Sequence, residues 1–102
     1  MASKKIFSID LIEKYQSALM TLSVLNQKES QQIIAVLKVQ PLLNEGSIVE
    51  QSGLQNTCVH QHLKALGAAQ VLHVQEEADQ AIFSLNHARL AQISRIVSRL
   101  TQ

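Results

Sequence analysis

Gly53 is the residue that most constrains this chain. It stands in Ser52-Gly53-Leu54-Gln55, between two stretches that both read as short amphipathic helices. A glycine there can take the left-handed conformation that closes the first helix and turns the chain sharply into the second. The second stretch, about Asn56 to Ala68, places Val59, Leu63 and Leu66 at spacings of four and three, which is one helical face. The first begins at a cap, Asn44 or Ser47, and Ser47-Ile48-Val49-Glu50 has the form of a capping box.

The rest of the chain supplies helices for this pair to pack against. Asp10-Leu11-Ile12-Glu13 reads as a capping box opening a helix over about 10–25, with apolar residues Ile12, Tyr15, Leu19, Leu22 and Leu25. Asn26-Gln27-Lys28-Glu29 repeats the cap signature before Ile33, Ile34, Val36 and Leu37. Pro41 has no N–H and biases Gln40 away from helix, so this second helix ends near Val39 and Pro41-Leu42-Leu43 is extended. After Gln70 the periodicity changes. Val71-Leu72-His73-Val74 and Ala81-Ile82-Phe83-Ser84-Leu85 are rich in strand formers, and the polar run Gln75 to Gln80 between them reads as a long solvated turn of a hairpin. Asn86 then caps a last helix with apolar positions Leu90, Ile93, Val97 and Leu100.

Composition agrees with a mainly helical fold and removes several function classes. The 102 residues are one domain, 1–102, because two cores would each be too small. Aromatics are 3%, so the core is aliphatic. Cys58 is the single cysteine, which excludes an internal disulfide and a multi-cysteine zinc site. No apolar run reaches the roughly 18 residues of a membrane span. Met1 to Asp10 has no leader-like stretch, so the expected location is the cytoplasm. Net charge is +1, which does not select a partner, but its distribution is uneven. All three arginines, Arg89, Arg95 and Arg99, fall in the last helix, just after the acids Glu76, Glu77 and Asp79. No Ser/His/Asp, Cys/His or glycine-rich phosphate arrangement is present, so no enzyme is expected.

A short helix, a glycine turn, a second helix and a hairpin form the pattern of a winged helix-turn-helix, in which the second helix enters the major groove. The run Gly53-Leu54-Gln55-Asn56-Thr57-Cys58-Val59-His60-Gln61-His62-Leu63-Lys64-Ala65-Leu66 resembles the recognition segment of ArsR-type (arsenical-resistance repressor) regulators. Their Val-Ser-x-His-Leu-Lys-x-Leu is matched at Val59, His62, Leu63, Lys64 and Leu66, and Phe83-Ser84-Leu85 resembles the close of their second wing strand. The order of elements agrees along nearly the whole chain. The resemblance implies a DNA-binding transcriptional regulator, of repressor type, acting on double-stranded operator DNA as a homodimer. Its terminal helices would build the interface through Ile12, Tyr15, Leu19, Leu22, Leu90, Ile93, Val97 and Leu100. The alternative for these stripes is that they simply cover the core.

Four departures stand out. The family has Ser at the position of His60, Arg or another polar residue at Gln61, and Gly at Gln70, where this chain has Gly67 three residues earlier instead, so the end of that helix is expected to be reshaped. The family's wing is basic, whereas Gln75-Glu76-Glu77-Ala78-Asp79-Gln80 carries three carboxylates, which repel phosphate. The expected DNA contacts are therefore Gln55, Asn56, Thr57, His60, Gln61 and Lys64. Asn and Gln can read adenine, and Lys can reach guanine or phosphate. The alternatives are that these are ordinary solvated side chains, and that the chain is a winged helix which has lost DNA binding and docks a protein.

No metal or other cofactor is expected. The short helix Ser47 to Ser52 has no cysteine, and the last helix has His87 without a second ligand. His60 and His62 point roughly 200° apart on a helix. His62 is expected to pack under the turn as a hydrogen-bonded core residue, and His73 to lie on a strand face. Cys58, near the start of its helix, is either a redox switch or a small half-buried side chain.

Overall fold

The computed structural model describes residues 9–100, and the side chains of Ile9, Asp10, Leu11 and Leu100 lie outside what it describes. The chain runs α1 (Ile9–Leu25), α2 (Lys28–Val39), β1 (Leu43–Asn44), α3 (Glu45–Ser52), α4 (Asn56–Ala68), β2 (Leu72–Glu77), β3 (Gln80–Leu85) and α5 (His87–Leu100). The strands form one antiparallel sheet of order β1-β3-β2, with Leu43 opposite Phe83, and Leu72 opposite Leu85. The capping box expected at Asp10 and the leader reading of Met1 to Asp10 fall outside the described residues. No described helix is long and apolar enough to cross a membrane.

Helix positions follow the apolar spacing, with corrections at the caps. α2 begins after Gln27, which is extended and makes no side-chain cap bond, so the expected cap at Asn26 does not form. Gln27 instead turns its amide toward His62 on α4. α3 begins at Glu45, which selects Asn44 from the two expected caps, Asn44 and Ser47. Asn44 is its cap, its Oδ1 accepting from the Ser47 N–H at 2.8 Å. Ser47 is therefore the donor in that cap, and the Ser47–Glu50 capping box does not exist. Asn86 caps α5 as expected, its Oδ1 accepting from the Arg89 N–H.

The hairpin is tighter than its polar run suggests. Strand pairing continues to Glu77 opposite Gln80, leaving only Ala78 and Asp79 in the turn. Both have positive φ, 48° and 65°, as a two-residue hairpin turn of type I′ requires. The expected long solvated turn is thus strand almost to its tip.

Two apolar clusters hold the fold. The larger joins Ile33 and Leu37 of α2, Ile48 of α3, Val59, Leu63 and Leu66 of α4, and Leu72, Phe83 and Leu85 of the sheet. The smaller joins Ala18 of α1 to Ile93 and Ile96 of α5, with Tyr15, Leu22 and Val97 packed against it. Ile96 continues the Ile93 stripe at i+3 and is buried with it, which the expected apolar stripe did not include. Leu90 packs on the larger cluster, not the smaller.

Candidate nucleic-acid interface

The turn between α3 and α4 fixes the direction of everything that follows. Gly53 has φ +74°, and its N–H donates to Val49 O to close α3. A Cβ at Gly53 would meet nothing within 4 Å, so the position calls for glycine by its backbone conformation alone. Ser52 ties the turn together: its Oγ bonds Val49 O at 3.4 Å and accepts from the Leu54 N–H at 3.2 Å.

From this turn α4 leaves with one face buried. Val59 and Leu66 are wholly buried and Leu63 nearly so. On the other side, Asn56, Thr57, His60, Gln61 and Lys64 are all exposed. At 100° per residue they span an arc of roughly 140°, so one surface presents all five. Gln55 is exposed too. It stands at the N-cap in extended conformation without a side-chain cap bond, leaving its amide available outward. The six residues expected to meet DNA thus share one face and its N-terminal edge.

The far end of α4 is closed without glycine. Gln70 has φ +64°, the left-handed conformation that ends a helix. The Val71 N–H donates to Leu66 O at 2.9 Å and the Gln70 N–H to Gly67 O at 3.0 Å, the paired bonds of a Schellman motif. The apolar contact that goes with it is supplied by Leu66 and Val71, both fully buried. The helix end is therefore not reshaped around Gly67; Gln70 itself takes the glycine-like position.

The histidines do different things. His60 is exposed, and its Nδ1 lies 3.3 Å from both carboxylate oxygens of Glu45, the first residue of α3. Glu45 was not legible as part of this face, since 15 residues separate the pair and nothing local links them. His62 is hydrogen-bonded as expected, but it is half-buried and its partners lie on its own helix and at the start of α2. Its Nδ1–H donates to Cys58 O at 2.9 Å, and its Nε2 lies 2.9 Å from Gln27 Oε1 and 4.0 Å from Glu29. It thereby clips α4 to the start of α2. Cys58 is half-buried, its Sγ 3.7 Å from His62 Nδ1. His73 is exposed on β2. Among the described residues no three His, Cys, Asp or Glu side chains converge as a metal site would need.

Beside α4 the hairpin projects with residues 73–80 exposed, carrying Glu76, Glu77 and Asp79 at its tip. On the α1/α5 side the expected interface residues divide. Ile12 and Leu19 are 45% and 57% exposed on α1. Tyr15, Leu22 and Val97 are half-buried against the smaller cluster, while Ile93 is buried within its own chain. The Leu100 side chain lies outside the described residues.

No family model and no curated protein sequence matches the chain. Solved structures do. An ArsR-like transcriptional regulator from a Rhodococcus species superposes with a TM-score of 0.77 over 85% of this chain and 81% of its own, at 16% identity. The solution structure of a homodimeric winged helix-turn-helix DNA-binding domain from Mycobacterium bovis, a possible ArsR-family regulator, gives 0.74 over 92% and 86%, at 16% identity. NolR from Sinorhizobium fredii gives 0.68 over 93% and 91%, at 21% identity. At these identities the shared property is the fold, which is the winged helix-turn-helix.

Proposed function

We propose that this chain is an ArsR-like transcriptional regulator, of repressor type, that binds double-stranded operator DNA as a homodimer through the outer face of α4. The observation that carries the reading is the two-sidedness of α4. Three core side chains fix the helix, and Asn56, Thr57, His60, Gln61 and Lys64 are presented together on its exposed arc. A rigid polar helix of this kind, delivered by a tight turn, fits the major groove. Gln61 and Asn56 have the amides to read adenine, and Lys64 has the charge for guanine or phosphate. Gln55 and Thr57 lie where the uncapped helix N-terminus favours a phosphate.

The outer surface of α1 supports dimerisation. Ile12 and Leu19 remain exposed after the chain has packed its own clusters, and a symmetric partner would cover them. Two copies of α4 would then meet successive major grooves about one DNA turn apart. One of the structural neighbours is itself homodimeric. We take residues 1–102 as the single domain involved, acting in the cytoplasm.

A second reading has one observation in its favour, the acidic hairpin. Three carboxylates at the tip suit a basic protein partner better than a phosphate backbone. Retention of genomic DNA fragments by the purified protein, at low and moderate salt, separates the two. A regulator enriches a defined set of fragments at the higher salt. A protein-docking module retains none at either. Light scattering supplies the test of assembly. The wild type is expected at twice the chain mass, and Ile12→Asp with Leu19→Asp at the chain mass with its helical content kept.

A further inference from the structure

A groove at the end of α4 away from Gly53 plays no part in the DNA contact proposed for this chain. It lies between α1, the C-terminal end of α4 and the start of α5, and its volume is about 500 Å³. That is within the range of small-molecule sites. Met20, Val24, Ala65 and Ala68 give it an apolar lining. Arg89 stands among them as a held but uncompensated charge. Its Nε–H donates to Ala69 O at 3.1 Å, Nη1 to Gln92 Oε1 at 2.9 Å, and Nη2 to Ser17 Oγ and Thr21 Oγ1, both at 2.9 Å.

All four acceptors are neutral. Neither ion pair among the described residues involves Arg89, and Glu13, the carboxylate on the same groove, is exposed at its rim and does not reach the guanidinium. A half-buried guanidinium without a counter-charge loses solvation that no carboxylate returns. It is also oriented by its four bonds, and one Nη1–H of its five donors is left over for a ligand. On α1 the groove residues centre roughly a third of a turn away from Ile12 and Leu19, with Gln16 nearest the proposed dimer face.

We propose that this groove binds a small organic carboxylate with an apolar body, its carboxylate at Arg89 and its body along Met20, Val24, Ala65 and Ala68. Charge complementarity selects the acid, because an alcohol or amide of the same shape would leave the guanidinium uncompensated. A ligand seated here touches α1, α4 and α5 at once. If α4 holds DNA as proposed, occupancy would couple to that contact; this consequence rests on the regulator reading, whereas binding itself does not.

Calorimetric titration of the full chain without DNA tests the site, using octanoate as probe and octanamide as its uncharged counterpart. Octanoate should saturate at one per chain and bind at least about tenfold more tightly than octanamide. Ala68→Leu, at an exposed position that narrows the groove, should weaken octanoate about tenfold or more with thermal stability kept. Arg89→Gln should abolish the preference for octanoate over octanamide, a difference that mere loosening of the fold would not produce. Equal binding of the two probes, or wild-type binding by Ala68→Leu, overturns the proposal, as does no heat with octanoate at millimolar concentration. Octanoate binding that leaves a DNA complex untouched overturns only the coupling.

Discussion

α4 and the β2–β3 hairpin are neighbours in sequence and in space, and they are built on opposite principles. α4 buries three side chains along its length, so its exposed face is fixed from end to end. The hairpin is held at its base. Of β2 only Leu72 is buried, and of β3 only Phe83 and Leu85; β2 is exposed from His73 onward, while Ala81 and Ile82 on the outer half of β3 are half-buried. Charge divides the same way. The exposed arc of α4 carries Lys64 and no acid, while the hairpin tip carries three carboxylates. In this chain rigidity and phosphate-compatible charge therefore fall on the same element. On the proposed reading, the hairpin is left outside the DNA contact.

The largest expected effect concerns anchoring. Leu66→Ala removes a fully buried side chain at the meeting of α4 and the sheet, and should destabilise the fold by about 2–5 kcal/mol. Val74→Ala, at a half-exposed position on β2, should cost about 0.5 kcal/mol or less. Urea unfolding of the two variants measures both. Equal losses would mean that the hairpin is as integral as α4 and would end the contrast.

What was legible in the sequence follows the same division. α4 was readable to the residue because Val59, Leu63 and Leu66 repeat at helical spacing and Gly53 marks the turn. The hairpin turn was not. A type I′ turn is normally signalled by Asn-Gly or Asp-Gly; here Ala78-Asp79 takes both positive-φ positions, and the polar run looked like a loop. At Gln70 the end of α4 was legible but its form was not, since a left-handed residue without glycine leaves no local mark. The two-residue strand β1 is defined only by its pairing with Ile82 and Phe83 of β3, and the Glu45–His60 contact only by the packing of α3 on α4. These are tertiary facts with no period to betray them. For the candidate interface, the face of α4 was legible and the carboxylate beside it was not.

The charge contrast makes the next prediction. Gln61→Ala should cost roughly 1–3 kcal/mol on a selected DNA fragment and relax preference at one base pair. Lys64→Ala, if Lys64 meets phosphate, should weaken all sequences alike and reduce the slope of log affinity against log salt by about 0.9. On the hairpin the sign reverses. Glu76→Gln, Glu77→Gln and Asp79→Asn together should tighten non-specific binding, most at low salt where the Debye length is long. Fluorescence anisotropy at two salt concentrations reads all three effects. Loss of DNA binding on neutralising the hairpin would show the acids to be contacts and would end the charge contrast.

The smallest effect is the most discriminating, because it puts the same chemistry at both elements. Gln70 and Ala78 each hold a left-handed backbone that costs a side-chain-bearing residue roughly 1–2 kcal/mol and glycine almost nothing. Glycine also gives the unfolded chain more freedom, which takes back part of the gain. Gln70→Gly and Ala78→Gly should therefore each stabilise their surroundings by about 0.5–1 kcal/mol. Where the gain is felt should differ. Gln70 closes a motif made of Leu66 and Val71, both in the core, so its gain should raise the global unfolding free energy. Ala78 sits at a tip that opens without disturbing the core, so its gain should appear in hydrogen-exchange protection of the amides near the turn more than in global unfolding. A global gain from Ala78→Gly equal to that from Gln70→Gly would show that the hairpin unfolds only with the rest of the molecule, and the division between an anchored helix and a basally held wing would fail.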